Sequence, residues 1–251
     1  MYHTVVIGGG CLGAASAISL QRKLNQIGKN DKVCLVEKAV LCAAESSRHS
    51  GIVRSANADP DASVMASMSS KMWKNLSSTW GIEMELDEFG AIWIARKNSD
   101  GENPVWTKLS ERMDKINLTF EEIDTNSAVE KCGQTLLTDQ NESYFYEPAA
   151  FQLDPSILRS TLYDALDQNG VHLMEKTEVD TILTKGQQIV GLTTNNGKLS
   201  ANNFVNATGA WSSQLFSKIG LKIPVTIEPV SVVNWMESPK QIKYEYPIIA
   251  D

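Results

Sequence analysis

Three glycines near the start of the chain, Gly8, Gly10 and Gly13, fall at the first, third and sixth places of G-x-G-x-x-G, directly after the apolar run Val5-Val6-Ile7. Glycine at the first place permits a tight turn. At the third it lets backbone approach a pyrophosphate, and at the sixth it lets a helix pack closely on a strand. Cys11 and Leu12 complete the turn, and the helix N-terminus beyond them offers N–H groups and a positive dipole end to phosphates. A second apolar run, Val33-Cys34-Leu35-Val36, ends in Glu37 and Lys38. A carboxylate at that tip can accept hydrogen bonds from adenosine ribose hydroxyls and repels a 2′-phosphate, which disfavours NADP. Glycine triplets also serve ordinary turns, and a βαβ unit without ligand is the competing reading. The glutamate favours a dinucleotide site.

The elements needed to hold these groups are legible around them. Ala14, Ala17, Ile18, Leu20 and Leu24 recur at helical spacing after the glycine turn. Asp59-Pro60-Asp61 signals a helix start, and Met65, Met68 and Met72 then share one face, read here as core packing. Strands are expected at 89–95 and 120–123, helices at 105–115 and 125–132, and an extended aromatic stretch at 144–148. This middle region lacks a βαβ rhythm and reads as an inserted second domain. The rhythm resumes at Asp154-Pro155, with a helix ended by Gly170 and strands at 171–174, 179–183 and 189–194. Asn195-Asn196-Gly197 is a hairpin turn, and a strand from Phe204 runs into Ala207-Thr208-Gly209. Strand-like text returns at 224–237 and 246–251.

Composition narrows the function classes. The 251 residues are 42% hydrophobic and 21% charged, with 23 basic and 30 acidic residues and a net charge of -7. This balance does not invite nucleic acid or an anionic membrane. No apolar run approaches the length of a bilayer span. The first strand begins within a few residues of Met1, leaving no room for a signal peptide, so a cytoplasmic location is expected. Cys11, Cys34, Cys42 and Cys132 show no C-x-x-C spacing and His3, His49 and His172 are scattered, so no metal site is expected.

The Gly8–Gly13 turn with Glu37, the Ser46–Arg54 segment, Leu153-Asp154-Pro155 and Asn206-Ala207-Thr208-Gly209-Ala210-Trp211 occur in one order. Together they resemble the D-amino acid oxidase superfamily of FAD-dependent oxidoreductases, within it the sarcosine oxidase, glycine oxidase and amino-acid dehydrogenase branch. The resemblance implies an α/β fold: a Rossmann-like, glutathione reductase-like FAD-binding domain interleaved with an α+β substrate domain. The FAD domain is expected at 1–80 and 152–220, the substrate domain at 81–151 and 221–251. The ADP half of FAD would rest on the first βαβ unit, with Glu37 and Lys38 at the adenosine and Val179 on the strand whose backbone meets the adenine. Ser47 and Arg48 would lie near the cofactor. Ala207, Thr208 and Gly209 would bring backbone to the pyrophosphate or flavin, with Trp211 just beyond.

The resemblance also implies a chemistry. An arginine at the place of Arg54 binds the substrate carboxylate in the sarcosine oxidase branch, a role suited to a planar, permanently charged fork. The competing reading is a salt bridge. His49 could face the flavin, act as a base or carry a covalent link. Arg48 aligns better with the histidine that some relatives use for that link, so non-covalent FAD is expected. The implied reaction is oxidation of a small amino acid or N-methyl amino acid, its neutral amine giving a hydride equivalent to the flavin. Alternatives are oxidation of a 2-hydroxy acid or glycerol phosphate, a non-catalytic FAD-binding subunit and, last, a plain NAD-binding protein. Family members run longer than this chain, which stops at Asp251 in mid-pattern. A missing C-terminal segment or a second polypeptide is therefore expected to complete the site.

Overall fold

The computed structural model describes residues 1–57, 59–84, 86–133, 136–228 and 248–250. Along the chain run β1 (Tyr2–Ile7), α1 (Cys11–Gln26), β2 (Val33–Val36), β3 (Ile52–Val53), α2 (Pro60–Trp73), α3 (Leu76–Trp80) and β4 (Ala91–Arg96). There follow α4 (Pro104–Lys115), β5 (Glu121–Ile123), α5 (Thr125–Lys131), β6 (Glu142–Glu147), β7 (Phe151–Gln152), α6 (Pro155–Asn169) and β8 (His172–Met174). The last elements are β9 (Val179–Lys185), β10 (Gln188–Thr194), β11 (Gly197–Leu199), β12 (Ala201–Asn206), α7 (Ser212–Ser217) and β13 (Ile248–Ala250). They form two compact units: Met1–Ser50 with Ser77–Met84 and Pro155–Val233, and Gly51–Leu76 with Glu85–Asp154 and Asn234–Asp251.

The first unit is built on a parallel sheet in the order β12-β1-β2-β8, a Rossmann-like arrangement. Val5, Val6, Cys34 and Leu35 are fully buried, which is why β1 and β2 read as continuous apolar runs rather than alternating ones. Helix α1 buries Gly13, Ala14, Ala17, Ile18, Gln21 and Leu24. Gln21 was not legible as a core residue. Its Oε1 accepts the Val33 N–H at 2.8 Å, and its Nε2 donates to Asn25 Oδ1 and the Asp31 carbonyl. The amide thereby ties the 27–32 loop to the first residue of β2. A separate antiparallel meander, β9-β10-β11, turns at Asn195-Asn196, with Thr194 opposite Gly197.

In the second unit β4, β6 and β5 pair antiparallel, and β13 adds to β4 in parallel. Trp106, Phe120 and Phe145 stack over this sheet with ring centroids 5.5–6.1 Å apart, beside buried Leu109 and Met113. The strand expected from Phe89 begins instead at Ala91. Gly90 has φ +79°, and a Cβ there would lie 2.8 Å from the Tyr146 ring, so the backbone cannot be extended at that point. Of the expected C-terminal strands, residues 224–228 are not strand, 229–247 and 251 lie outside the described residues, and 248–250 form β13.

The methionine stripe on α2 is also corrected. Met65 is 71% exposed and Met68 63%, while Ser63, Ser67 and Ser70 are buried. Small residues form the inward face of this helix, and the Ser63 hydroxyl satisfies itself on the Asn57 and Asp59 carbonyls. Met65→Ser and Met68→Lys are accordingly expected to change stability by no more than about 0.5 kcal/mol, measured by urea denaturation. A core methionine would cost several times more.

Candidate functional site

The first unit holds a cavity of about 470 Å³ at the C-terminal ends of β1, β2 and β12. It is walled by Gly8–Leu12, Val36–Lys38, Cys42–Ser46, Thr177–Val179, Asn206–Gly209 and Trp211. The crevice beyond the strand ends is where open α/β sheets bind ligands, and this volume is within the roughly 300–1,000 Å³ typical of small-molecule sites.

The glycine turn is locked by its own crowding. Gly8 has φ +106°, and its N–H donates to the Val36 carbonyl at 2.8 Å. A Cβ on Gly8 would lie 2.4 Å from the Ala207 carbonyl oxygen, and one on Gly13 would lie 1.9 Å from the Gly8 carbonyl oxygen. The turn after β12 therefore touches the turn after β1, and α1 closes directly onto it. Gly10 caps α1 in an extended conformation with no side-chain acceptor. The Cys11 N–H donates to Ser46 Oγ at 3.0 Å. Among the described residues the Leu12 and Gly13 N–H groups have no acceptor, the usual state of donors in a helix's first turn.

Glu37 bends back over this turn. Its Oε2 accepts the Gly9 N–H at 2.7 Å and its Oε1 the Ala39 N–H at 2.8 Å. Each oxygen keeps a lone pair for a further donor. Gly9 is a role that reading the motif missed: a Cβ there would lie 2.7 Å from Glu37 Cβ. Lys38 Nζ sits 3.8 Å above the centroid of the Trp211 indole, a cation–π pair at the cavity wall. Unpaired helix N–H groups, a cradle that any Cβ would fill and a carboxylate set beside it together fit the pyrophosphate and ribose of a dinucleotide.

Not every predicted residue joins this wall. Gly8, Gly10, Cys11, Leu12, Glu37, Lys38, Val179, Ala207, Thr208, Gly209 and Trp211 line the cavity, whereas Gly13, Ser47, Arg48 and His49 do not. Gly13 acts from behind, through the packing of α1. Ser47 Oγ donates to the Ala44 carbonyl, and His49 Nε2 lies 3.1 Å from the Ser46 carbonyl. Ser46 and Cys42 do line the cavity and were not singled out. They stand in the small, polar 41–54 segment, whose composition suits a loop near a cofactor but does not pick out these two positions.

Arg54 belongs to the second unit. Its side chain is exposed, Nη1 donates to the Ala56 carbonyl at 2.9 Å, and its guanidinium lies 4.8 Å above the Trp93 indole. It forms no salt bridge among the described residues. Beneath it is Glu147, fully buried, a residue the sequence did not flag. Glu147 Oε1 accepts the Ser55 and Ala56 N–H groups at 2.6 and 3.1 Å, and Oε2 accepts Trp93 Nε1–H at 3.1 Å. Burial pushes its carboxyl above the usual range, outweighing these donors and the nearby Arg54 charge. One carboxylate thus fixes both the backbone that carries Arg54 and the ring beneath it.

Among the described residues no group of three or more His, Cys, Asp or Glu side chains is placed to hold a metal. None of the described helices is long and apolar enough to cross a membrane.

Comparison with known proteins adds a family. The profile of the FAD dependent oxidoreductase family, DAO, matches residues 3–248. The pyruvate dehydrogenase phosphatase regulatory subunit of Mus musculus mitochondria is 25% identical over 213 residues, 85% of this chain and 23% of the relative. Mitochondrial dimethylglycine dehydrogenase of Rattus norvegicus is 26% identical over 252 residues, 99% of this chain and 28% of the relative. The chain thus spans about a quarter of the length of these two relatives. Among solved structures, L-proline dehydrogenase from P. horikoshii shares the fold with a TM-score of 0.77 at 24% identity, covering 91% of this chain and 58% of that one.

Proposed function

Because the chain belongs to the FAD dependent oxidoreductase family of the D-amino acid oxidase type, we propose that it carries the FAD-binding part of an enzyme that oxidises a small amino acid or N-methyl amino acid. The observation that carries this reading is the glycine turn with Glu37 over it and unpaired helix N–H groups beside it. The Leu12 and Gly13 N–H groups hold the pyrophosphate, and Glu37 accepts the ribose hydroxyls. Bound FAD supplies the two-electron acceptor for a hydride equivalent from the amine carbon. Arg54 pairs with the substrate carboxylate, its charge not taken up by an internal salt bridge among the described residues. FAD is held without a covalent link, consistent with the engagement of His49 Nε2 by the Ser46 carbonyl. The sarcosine and glycine oxidase branch is the proposed neighbourhood, and the match to a dimethylglycine dehydrogenase supports an N-methyl amino acid as substrate.

A second reading, a non-catalytic FAD-binding subunit, draws on the match to a protein named as a regulatory subunit. Two measurements separate them. Denaturation of the purified protein should release free FAD into the supernatant. Anaerobic addition of amino acids, N-methyl amino acids and 2-hydroxy acids should then bleach the native flavin with the first two classes only. Flavin that no substrate bleaches would select the subunit reading, and bleaching by hydroxy acids alone would sink the amine assignment. In an active preparation, Arg54→Ala is expected to raise KM by roughly 10- to 100-fold with FAD content unchanged, the worth of a charged hydrogen-bonded pair. Unchanged kinetics would remove Arg54 from the substrate site.

A further inference from the structure

The loop after β2 holds a backbone shape that its residue type does not favour. Cys42 has φ +56°, in the left-handed region that a residue with a Cβ rarely adopts. Such a conformation persists only where the surroundings over-determine it. Here the constraints come from outside the loop. The Leu41 N–H donates to Glu175 Oε1 at 2.6 Å, and the Cys42 N–H donates to the Gly9 carbonyl at 2.8 Å. Arg159 Nη2 reaches the Cys42 carbonyl at 3.4 Å. Glu175 Oε1 also accepts the hydroxyl of Tyr163, one turn along α6 from Arg159. We propose that Glu175, clasped by Tyr163, is a positioning residue for the dinucleotide cradle, holding Cys42 in the turn that ties back the Gly9 carbonyl. This role rests on the reading of the cavity as a dinucleotide site.

Gly9 is the middle residue of the glycine run, and its peptide groups decide what the turn offers to phosphate. Its N–H is taken by Glu37 Oε2. Its carbonyl, engaged by Cys42, cannot swing its oxygen toward phosphate oxygens that would repel it. The Leu12 and Gly13 N–H groups are left to face the ligand, and donors fixed in advance need no reordering when it arrives. Glu175, Tyr163 and Arg159 do not line the cavity, so they act on a ligand only through this loop.

Glu175 extends a tether that backbone pairing leaves unfinished. The Glu37 N–H donates to the Met174 carbonyl at 2.9 Å, and the Thr177 and Lys176 N–H groups donate to the Glu37 and Ala39 carbonyls at 2.8 Å. These bonds fix 37–39 along the 174–177 segment and stop at Ala39. The Glu175 side chain carries the hold on to Leu41, and so to Cys42 and Gly9. Burial, then the Glu175 contact, pushes the Tyr163 hydroxyl above its ordinary range, which keeps it the donor. The Glu37 carboxylate is anchored independently, on the Gly9 and Ala39 N–H groups. Loss of Glu175 should therefore loosen the pyrophosphate end of the cavity and spare the adenosine end.

The test measures FAD and ADP binding to the full chain by titration calorimetry, and adenosine binding by saturation-transfer NMR. Glu175→Ala is expected to weaken FAD and ADP by roughly 10- to 100-fold, the worth of a hydrogen bond to a charged group, and adenosine by less than about twofold. Glu175→Gln keeps an oxygen for the Leu41 N–H and should stay within about fivefold of the unaltered chain for all three. Tyr163→Phe leaves Glu175 in place and should weaken ADP by about three- to tenfold, which keeps the role testable where Glu175→Ala does not fold. Equal losses for ADP and adenosine would make Glu175 a support of the fold alone and overturn the proposal. So would unchanged ADP affinity in a folded Glu175→Ala or in Tyr163→Phe, or a Glu175→Gln as weak as Glu175→Ala. An unaltered chain that binds none of the three probes would instead overturn the dinucleotide reading, and this role with it.

Discussion

Gly13→Ala is expected to cost at least about 3 kcal/mol and to abolish flavin retention. The new Cβ would stand 1.9 Å from the Gly8 carbonyl oxygen. That oxygen cannot retreat. The Gly8 N–H is bonded to the Val36 carbonyl, and on the other side the Ala207 N–H is bonded to the Ile7 carbonyl. Relief must come from moving α1 off β1, which opens the buried face formed by Ala14, Ala17 and Ile18. Gly10→Ala is the control. Its Cβ meets only Ser46 Oγ at 3.0 Å, the end of a short side chain that can rotate away. Stability should fall by less than about 1 kcal/mol, while the methyl group projects where a pyrophosphate would lie and flavin binding weakens. Thermal unfolding, read beside the flavin-to-protein ratio, checks both variants. About 3 kcal/mol corresponds to a drop of roughly 10 °C for a unit of this size. Equal melting temperatures for Gly13→Ala and the unaltered chain would refute the steric account.

The difference between these glycines also explains what the sequence could disclose. The turn was legible because its constraints are local: backbone shape selects glycine at fixed spacing, and the next strand must end in a residue that suits a ribose. Glu37 followed from the same logic. What the sequence could not disclose was set by residues far apart along the chain. Met65 and Met68 carry a helical apolar period, but which face of α2 turns inward is decided by a surface that accepts serines. Gln21 sits at a core position of α1 because an unpaired N–H at Val33 awaits it, a need invisible until β2 is in place. Arg54 carried a resemblance, but its support came from Glu147, more than ninety residues later.

That support leads to the second large effect. Glu147→Leu is expected to destabilise the second unit by about 3–5 kcal/mol, because it leaves the Ser55 and Ala56 N–H groups and the Trp93 indole N–H buried without an acceptor. Glu147→Gln keeps one acceptor oxygen for the two backbone donors but turns an NH₂ toward the indole, and should cost roughly 1–2 kcal/mol. The pH dependence distinguishes the carboxyl from its shape. Burial raises its folded pKa above the ordinary value of 4.5, so between those two values the folded state binds more protons than the unfolded state. The contribution of this proton is complete below about pH 4.5 and is lost as pH rises through the folded pKa. Urea denaturation from pH 4.5 upward should therefore show the stability of the unaltered chain falling relative to Glu147→Gln. A rise instead would mean that its three donors outweigh burial and that the carboxylate is a net stabiliser. Either way Arg54 depends on this group, since Glu147 holds the two residues after Arg54 and the ring on which its guanidinium rests. In an active preparation Glu147→Gln should therefore raise KM more than it lowers kcat, the pattern expected of Arg54→Ala, while FAD content stays constant.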